Sequence, residues 1–255
     1  MNSSHCSRLL LVIVALVLSA GVVAGVSVSD EQTPADAAVG ERVEVSYTLS
    51  ELYQDPSYEQ WTLRTETELS NVTWTFQLVD QAGNVRATNS ADGQNASQPV
   101  NIDDGVSEIR VRVVGDVPAI ENYTYDPAPT FLVAEFTHTR EGGTSSTIDT
   151  FESRHYTSES QSARDAIDSA QAAIDAAGGN AQAEESLQSA ISAYEGENFE
   201  NAVRLAERAE REAGQAKQTQ QRNQLILYAV AAIVVIAILL GLALWFRSRG
   251  PTSRL

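Results

Sequence analysis

The side chains best suited to chemistry are few and far apart. His138 and His155 stand seventeen positions apart on what read as the two arms of a hairpin turning at Gly142-Gly143. Imidazole is a common metal ligand and a proton carrier near neutral pH. Pairing across that turn, however, sets His138 beside Thr147 and His155 beside Thr130, so the two are not expected to share a metal; strand-end or surface positions are expected instead. Asp103-Asp104-Gly105, joined by Asp92 or Asp126, offers the oxygen ligands that calcium takes, and a plain acidic turn is the competing reading. The lone cysteine, Cys6, permits neither a disulfide nor a thiolate set. There is no P-loop, no G-x-S-x-G and no H-E-x-x-H. No catalytic residue, cofactor or metal site is therefore expected.

Other residues point to recognition instead. Asn71, Asn95 and Asn122 each open an N-x-S/T sequon and are candidate glycosylation sites in an exterior chain. Asn95, in a Gly- and Asn-rich stretch read as a loop, is expected to be the most accessible, with Asn71 next. Tyr53, Tyr58 and Trp61, in "YQDPSYEQW", are candidates for an exposed aromatic patch that meets sugar or protein, against a reading as packing at a sheet edge.

These residues are carried by two kinds of element. Over 39–157 the apolar period is two. Val43, Val45, Tyr47 and Leu49 alternate with polar residues, as do Val72, Trp74, Phe76 and Leu78, and then Ile109, Val111 and Val113. Turn signals such as "DQAGN", "ADGQN" and "REGGT" divide the region into about seven strands, which predicts an immunoglobulin-like β-sandwich without the cysteine pair. From Ser158 the period becomes 3.6. Ala163, Ile167, Ala170, Ile174 and Ala177 form one stripe, and Gly178-Gly179-Asn180 stops the helix. Leu187, Ala190, Ile191 and Tyr194 follow on a second helix, and Phe199, Ala202, Val203, Ala206, Ala209 and Ala213 on a third. The region 158–224 thus reads as an alanine-rich helical hairpin or stalk.

Two segments are not globular. Residues 9–28 carry no charge and follow Arg8, which reads as a signal peptide over 1–24 or as an uncleaved anchor. Residues 225–246, "LILYAVAAIVVIAILLGLALWF", are long enough for a transmembrane helix, with Tyr228 and Trp245 near its ends. The segment 247–255 holds three arginines and no acid, as a cytoplasmic tail does. The region between lies outside on either reading of the N-terminal segment.

The chain carries 34 acids against 17 bases, and all the acids fall between Asp30 and Glu212. Such a field disfavours nucleic acid and anionic lipid as partners. Arginine outnumbers lysine sixteen to one. This composition resembles that of proteins from salt-loving archaea, where concentrated salt screens self-repulsion; an acidic surface protein of a mesophile has the same balance.

The stretch "SAISAYEGENFENAVRLAERAEREAG", with Ala190, Phe199, Ala202 and Ala209, resembles one tetratricopeptide unit over some 30 residues. It has a single copy and no proline after its last helix, so no groove residues follow from the likeness. Tyr194 and Phe199 are nonetheless candidate contacts for a protein partner or a second copy. The whole chain resembles uncharacterised haloarchaeal-type surface proteins that join a signal peptide, a β-sandwich, an alanine-rich helical hairpin and a C-terminal transmembrane helix. The apolar helix followed by arginines is also similar to archaeal sorting tails. Because "QRNQ" stands where those have Pro-Gly-Phe, the helix is expected to be retained. Together these features imply a non-enzymatic, single-pass surface protein with a structural or protein-interaction role, as an accessory subunit of a membrane complex. A receptor-like sensor that binds a small ligand or ion in the sandwich loops is the alternative.

Overall fold

The computed structural model describes residues 25–30, 33–54, 59–140, 142–143 and 145–248. Residues 1–24, expected to be a signal peptide, Tyr58 and residues 249–255 of the expected tail lie outside the described residues. The chain divides into two compact units: the strands form one, and the segment Ile120–Pro129 together with everything from Tyr156 onward forms the other.

Among the described residues the strand unit has ten strands in two five-stranded sheets. The first sheet has the order β1 (Ser27–Asp30), β3 (Arg42–Ser50), β8 (Val106–Asp116), β5 (Ser70–Asp80), β6 (Val85–Asp92), with every neighbour antiparallel. The second runs β2 (Asp36–Ala38), β10 (Ser145–Tyr156), β9 (Thr130–Thr139), β4 (Gln60–Glu66), β7 (Asn95–Asn101). The expected alternation decides which face is dry. Val45, Tyr47 and Leu49 on β3, Trp74 and Phe76 on β5, and Ile109, Val111 and Val113 on β8 are all buried. They share one core with Leu63 of β4 and with Phe131, Val133 and Phe136 of β9. Tyr47 meets Phe136 edge to face at 5.0 Å, an aromatic bridge from one sheet to the other. Fully burying side chains of this size stabilises by roughly 1.5–3 kcal/mol each before entropy is counted.

The count of ten corrects the expected seven. β1 and β2 are too short to show a period. β7, "NASQPVN", buries only Gln98 and Val100 and contains Pro99, which reads as a strand breaker yet is tolerated at this sheet edge. Gly115 sits where β8 passes Leu69: a Cβ there would lie 2.8 Å from the Leu69 Cβ and 3.0 Å from the Ser70 carbonyl oxygen, so only glycine fits.

The described residues of the second unit form three helices. The first, α1 (Ser158–Ala177), starts on a capping box in which the Ser160 amide donates to Thr157 Oγ1 and the Thr157 amide to Ser160 Oγ, at 3.1 and 2.9 Å. It ends where Gly178 turns left-handed, at φ 79°. Asn180 caps α2 (Ala181–Glu195) by accepting from the Ala183 amide. The third, α3 (Phe199–Ser248), is one continuous helix in which the expected hairpin arm and the expected transmembrane segment run together. Its alanines 202, 206, 209 and 213 are fully buried against Ile167 and Ala170 of α1 and Leu187 and Ala190 of α2, since small side chains let helices approach closely. A polar clamp ties α2 to α3: Gln182, Ser186 and Arg208 all donate to the Glu212 carboxylate. Burial opposes ionisation of Glu212, but these donors outweigh it and hold the carboxyl below its usual range.

Candidate interaction surfaces

Tyr194 and Phe199, the expected contacts of the tetratricopeptide-like unit, are already in use. Tyr194 is only 3 % exposed. It meets Tyr123, Tyr125 and Phe199 edge to face at 6.3, 6.2 and 5.4 Å, and Tyr123 meets Phe199 at 4.9 Å. Tyr123 and Tyr125 come from the connection between β8 and β9, some seventy residues earlier in the chain. The four rings close over the α2–α3 turn, so this face is filled by the chain's own loop. Helical periodicity marks the helix side of such a contact and carries no sign of the loop.

Arg164 of α1 fastens that loop. Its guanidinium lies 4.7 Å from the centroid of the Tyr125 ring and 5.7 Å from that of Tyr194, while Nη2 donates to the Tyr125 carbonyl. The Tyr125 hydroxyl donates to Asp168 one turn further along α1. Burial, followed by the hydrogen bond and the charge of Asp168, pushes the Tyr125 hydroxyl up to about 12.

In the strand unit, Trp61 belongs to the core rather than to an exposed patch. It is 4 % exposed, its indole N–H donates to the Leu52 carbonyl at 3.1 Å, and the His138 ring stacks on it at 4.6 Å. The reason is parity: Trp61 shares its face of β4 with buried Leu63 and Thr65. Tyr53 is half-buried against the same core, and its hydroxyl is enclosed without a hydrogen-bond partner among the described residues. It lines a depression of about 680 Å³ with Gln54, Asp80, Arg86, Ile102 and Ser107, at the end of the sheets where the β5–β6 turn and the β7–β8 connection meet. Asp80 is held there by the Ala82 and Asn84 amides and by Arg86, each at 2.9 Å, and these bonds, led by that of Asn84, keep its carboxyl below the usual range.

Both histidines stand at strand ends, as expected, one position before the last residues of β9 and β10, but they are buried there rather than at the surface. His138 is 6 % exposed and His155 7 %. Opposite them on the paired strands stand Ser146 for His138 and, beside His155, the Thr130–Arg154 pair. His155 lies against Phe131 and donates from Nδ1 to the Pro118 carbonyl at 3.2 Å, which fixes its tautomer. Burial is the leading cause that lowers the pKa of both. Asp92 and Asp103 stand beyond opposite ends of β7, and Asp126 belongs to the other unit. Among the described residues no three acids or histidines come together to hold a metal.

The sequon residues occupy three different settings. Asn95 is exposed but opens strand β7, paired with Glu66, rather than sitting in a loop. Asn71 is exposed at φ 50°, and its Nδ2 donates to Asp116 at 2.7 Å. Asn122 is exposed on the loop that carries Tyr123, in the helical unit.

Among the described residues one helix, α3, is long and apolar enough to cross a membrane. Its apolar residues from Leu225 to Leu242 are turned outward, Leu225 being 68 % and Tyr228 69 % exposed.

No family model matches the chain, and no curated protein matches it. Among solved structures, the sporulation control protein Spo0M from Bacillus subtilis aligns at 10% identity, over 56% of this chain and 54% of its own, with a TM-score of 0.30. AvmM, described as catalysing macrocyclization in alchivemycin A biosynthesis, aligns at 9% identity over 52% and 89%, with a TM-score of 0.31. The chain spans about half the length of Spo0M.

Proposed function

We propose that this is a single-pass surface protein whose immunoglobulin-like β-sandwich stands outside the cell, with a structural or protein-interaction role as an accessory subunit of a membrane complex. The carrying observation is α3, whose N-terminal alanines are fully buried while the same helix continues into an exposed apolar stretch from Leu225. At about 1.5 Å per residue the apolar part is about 33 Å long, close to the roughly 30 Å of a bilayer core. The polar stretch from Gly214 to Gln224 adds about 16 Å of helix between the packed part and that core. The acidic exterior and the single lysine fit the haloarchaeal-type surface proteins that the sequence resembles. The role is non-enzymatic on this reading.

Two measurements test it. Membranes washed with alkaline carbonate should retain the protein, and release into the supernatant overturns the anchor. Crosslinking in high salt, with a tag after Leu255, should recover a specific membrane partner. Recovery of the chain alone, or only of a self-crosslinked pair, overturns the accessory role.

The second reading, a sensor, is favoured by the depression at Tyr53, where an enclosed hydroxyl without a partner among the described residues adjoins the Asp80–Arg86 pair. A rise in unfolding temperature with one small ligand, abolished by Tyr53→Phe, would establish it over the first.

A further inference from the structure

The outward face of the β1-β3-β8-β5-β6 sheet departs from the rest of this acidic molecule. β8 is its middle strand and sends Arg110 and Arg112 out on the same side, about 7 Å apart along the strand. Register places Thr48 and Gln77 on either side of Arg110, and Ser46 and Thr75 on either side of Arg112. Directly opposed side chains stand about 5 Å apart, so the six residues form two short rows of hydrogen-bonding groups with a guanidinium at the centre of each. They line a shallow depression of about 380 Å³, within the scale of small-ligand sites. No acid and no aromatic ring stands in either row.

The guanidiniums are only partly engaged. Arg110 uses Nε on Glu108, at 2.7 Å, and Arg112 uses one Nη on Glu44, at 2.8 Å. Both remain about half exposed, at 50% and 51% of the side chain. Both Nη groups of Arg110, and Nε with the second Nη of Arg112, have no partner among the described residues. A planar guanidinium with free N–H groups suits a carboxylate, which it binds through paired, charge-assisted hydrogen bonds. The flanking hydroxyls and the Gln77 amide both donate and accept, as sugar hydroxyls require.

We infer that this face binds a carboxylated sugar, with Arg110 and Arg112 taking the acid groups and Ser46, Thr48, Thr75 and Gln77 the hydroxyls. A short acidic saccharide fits better than a dense polyanion. The overall negative field repels many charges at long range, whereas contact hydrogen bonds survive the screening of concentrated salt, where the Debye length falls to about 3 Å at 1 M. The site is on the sheet face and stands or falls independently of the membrane anchor.

The test is calorimetric titration of the full-length protein in detergent with digalacturonate, and with neutral digalactose as the comparison. Digalacturonate should bind at least about tenfold more tightly than digalactose, and the double substitution Arg110→Gln/Arg112→Gln should weaken it by at least about tenfold. Arg110→Lys/Arg112→Lys, which keeps the charge and loses the fork, should fall between. Arg42→Gln, on the same sheet outside the two rows, should change nothing, and unchanged circular dichroism shows that each variant is folded. Absence of digalacturonate binding at about 10 mM, equal binding of the neutral sugar, or indifference to both arginine pairs overturns the proposal.

Discussion

Arg164 stacks on the ring of Tyr125 while its own guanidinium donates to the carbonyl of that same residue. One side chain of α1 thus holds both the ring and the backbone of the β8–β9 connection, and the Tyr125 hydroxyl returns the tie through Asp168. Tyr125→Phe keeps the ring and removes that bond. It should lower stability by about 0.5–1.5 kcal/mol, read by thermal unfolding at 222 nm. Arg164→Ala removes both contacts and should speed hydrogen exchange of the amides around Tyr123 to Tyr125, with α2 unaffected. Unchanged exchange in that loop would show that Arg164 does not hold it.

The same hydroxyl gives a pH signature. Its folded pKa is raised to about 12, above the ordinary 10. Its contribution is therefore complete below pH 10 and is lost as pH rises toward 12, because the unfolded chain releases the proton first. The tyrosinate absorbance titration of the wild type minus that of Tyr125→Phe should have its midpoint near 12. A midpoint near 10 would mean that the loop leaves Tyr125 in water.

The buried histidines act in the opposite direction. Both folded pKa values lie below 6.5, so the stability tied to neutral imidazole is present above pH 6.5 and is lost as pH falls through the folded values. Imidazole proton resonances of His138 and His155 should titrate below pH 6.5 while the fold lasts, and unfolding temperature should drop over the same range. His5 lies outside the described residues and serves as no control.

Gly115→Ala tests the close approach of β8 to Leu69 directly. The added methyl meets a Cβ and a backbone oxygen rather than a flexible tip, so the strand must shift. A cost of about 1–3 kcal/mol is expected, measured as a fall in the denaturant midpoint at constant slope. A neutral outcome would place the strands further apart than described.

In a glycosylating host, peptide mass spectrometry should find glycan on Asn122 and Asn95 and none on Asn71. The Asn71 amide nitrogen is spent on Asp116, and the residue sits in the left-handed region. Occupancy at Asn71 would show that this bond opens readily.

The central strands were legible because each has one wet face, which prints an alternation into Val43 to Leu49 and Val72 to Leu78. The helices were legible for the same reason at a period of 3.6. What escaped was whatever depends on distant partners. β7 exists because β4 offers it an edge, not because "NASQPVN" favours a strand. Trp61 was open to two readings until its parity with Leu63 was placed against a core. The cover over Tyr194 could not be read at all, since Tyr123 and Tyr125 sit in a proline-flanked loop with no period of its own. The two arginines of β8 were visible as letters in "SEIRVRVV", but only register reveals that their neighbours are hydroxyls and an amide.

Between Phe199 and Ser248 the backbone is a single helix, with no proline in it. The buried alanines and the outward apolar residues therefore share one axis and one phase, since each residue advances the helix by about 100°. A turn of the apolar end about that axis is therefore carried along the same backbone to the alanine stripe. A slip of one residue in what grips that end would turn Ala202 to Ala213 away from the helices they now touch.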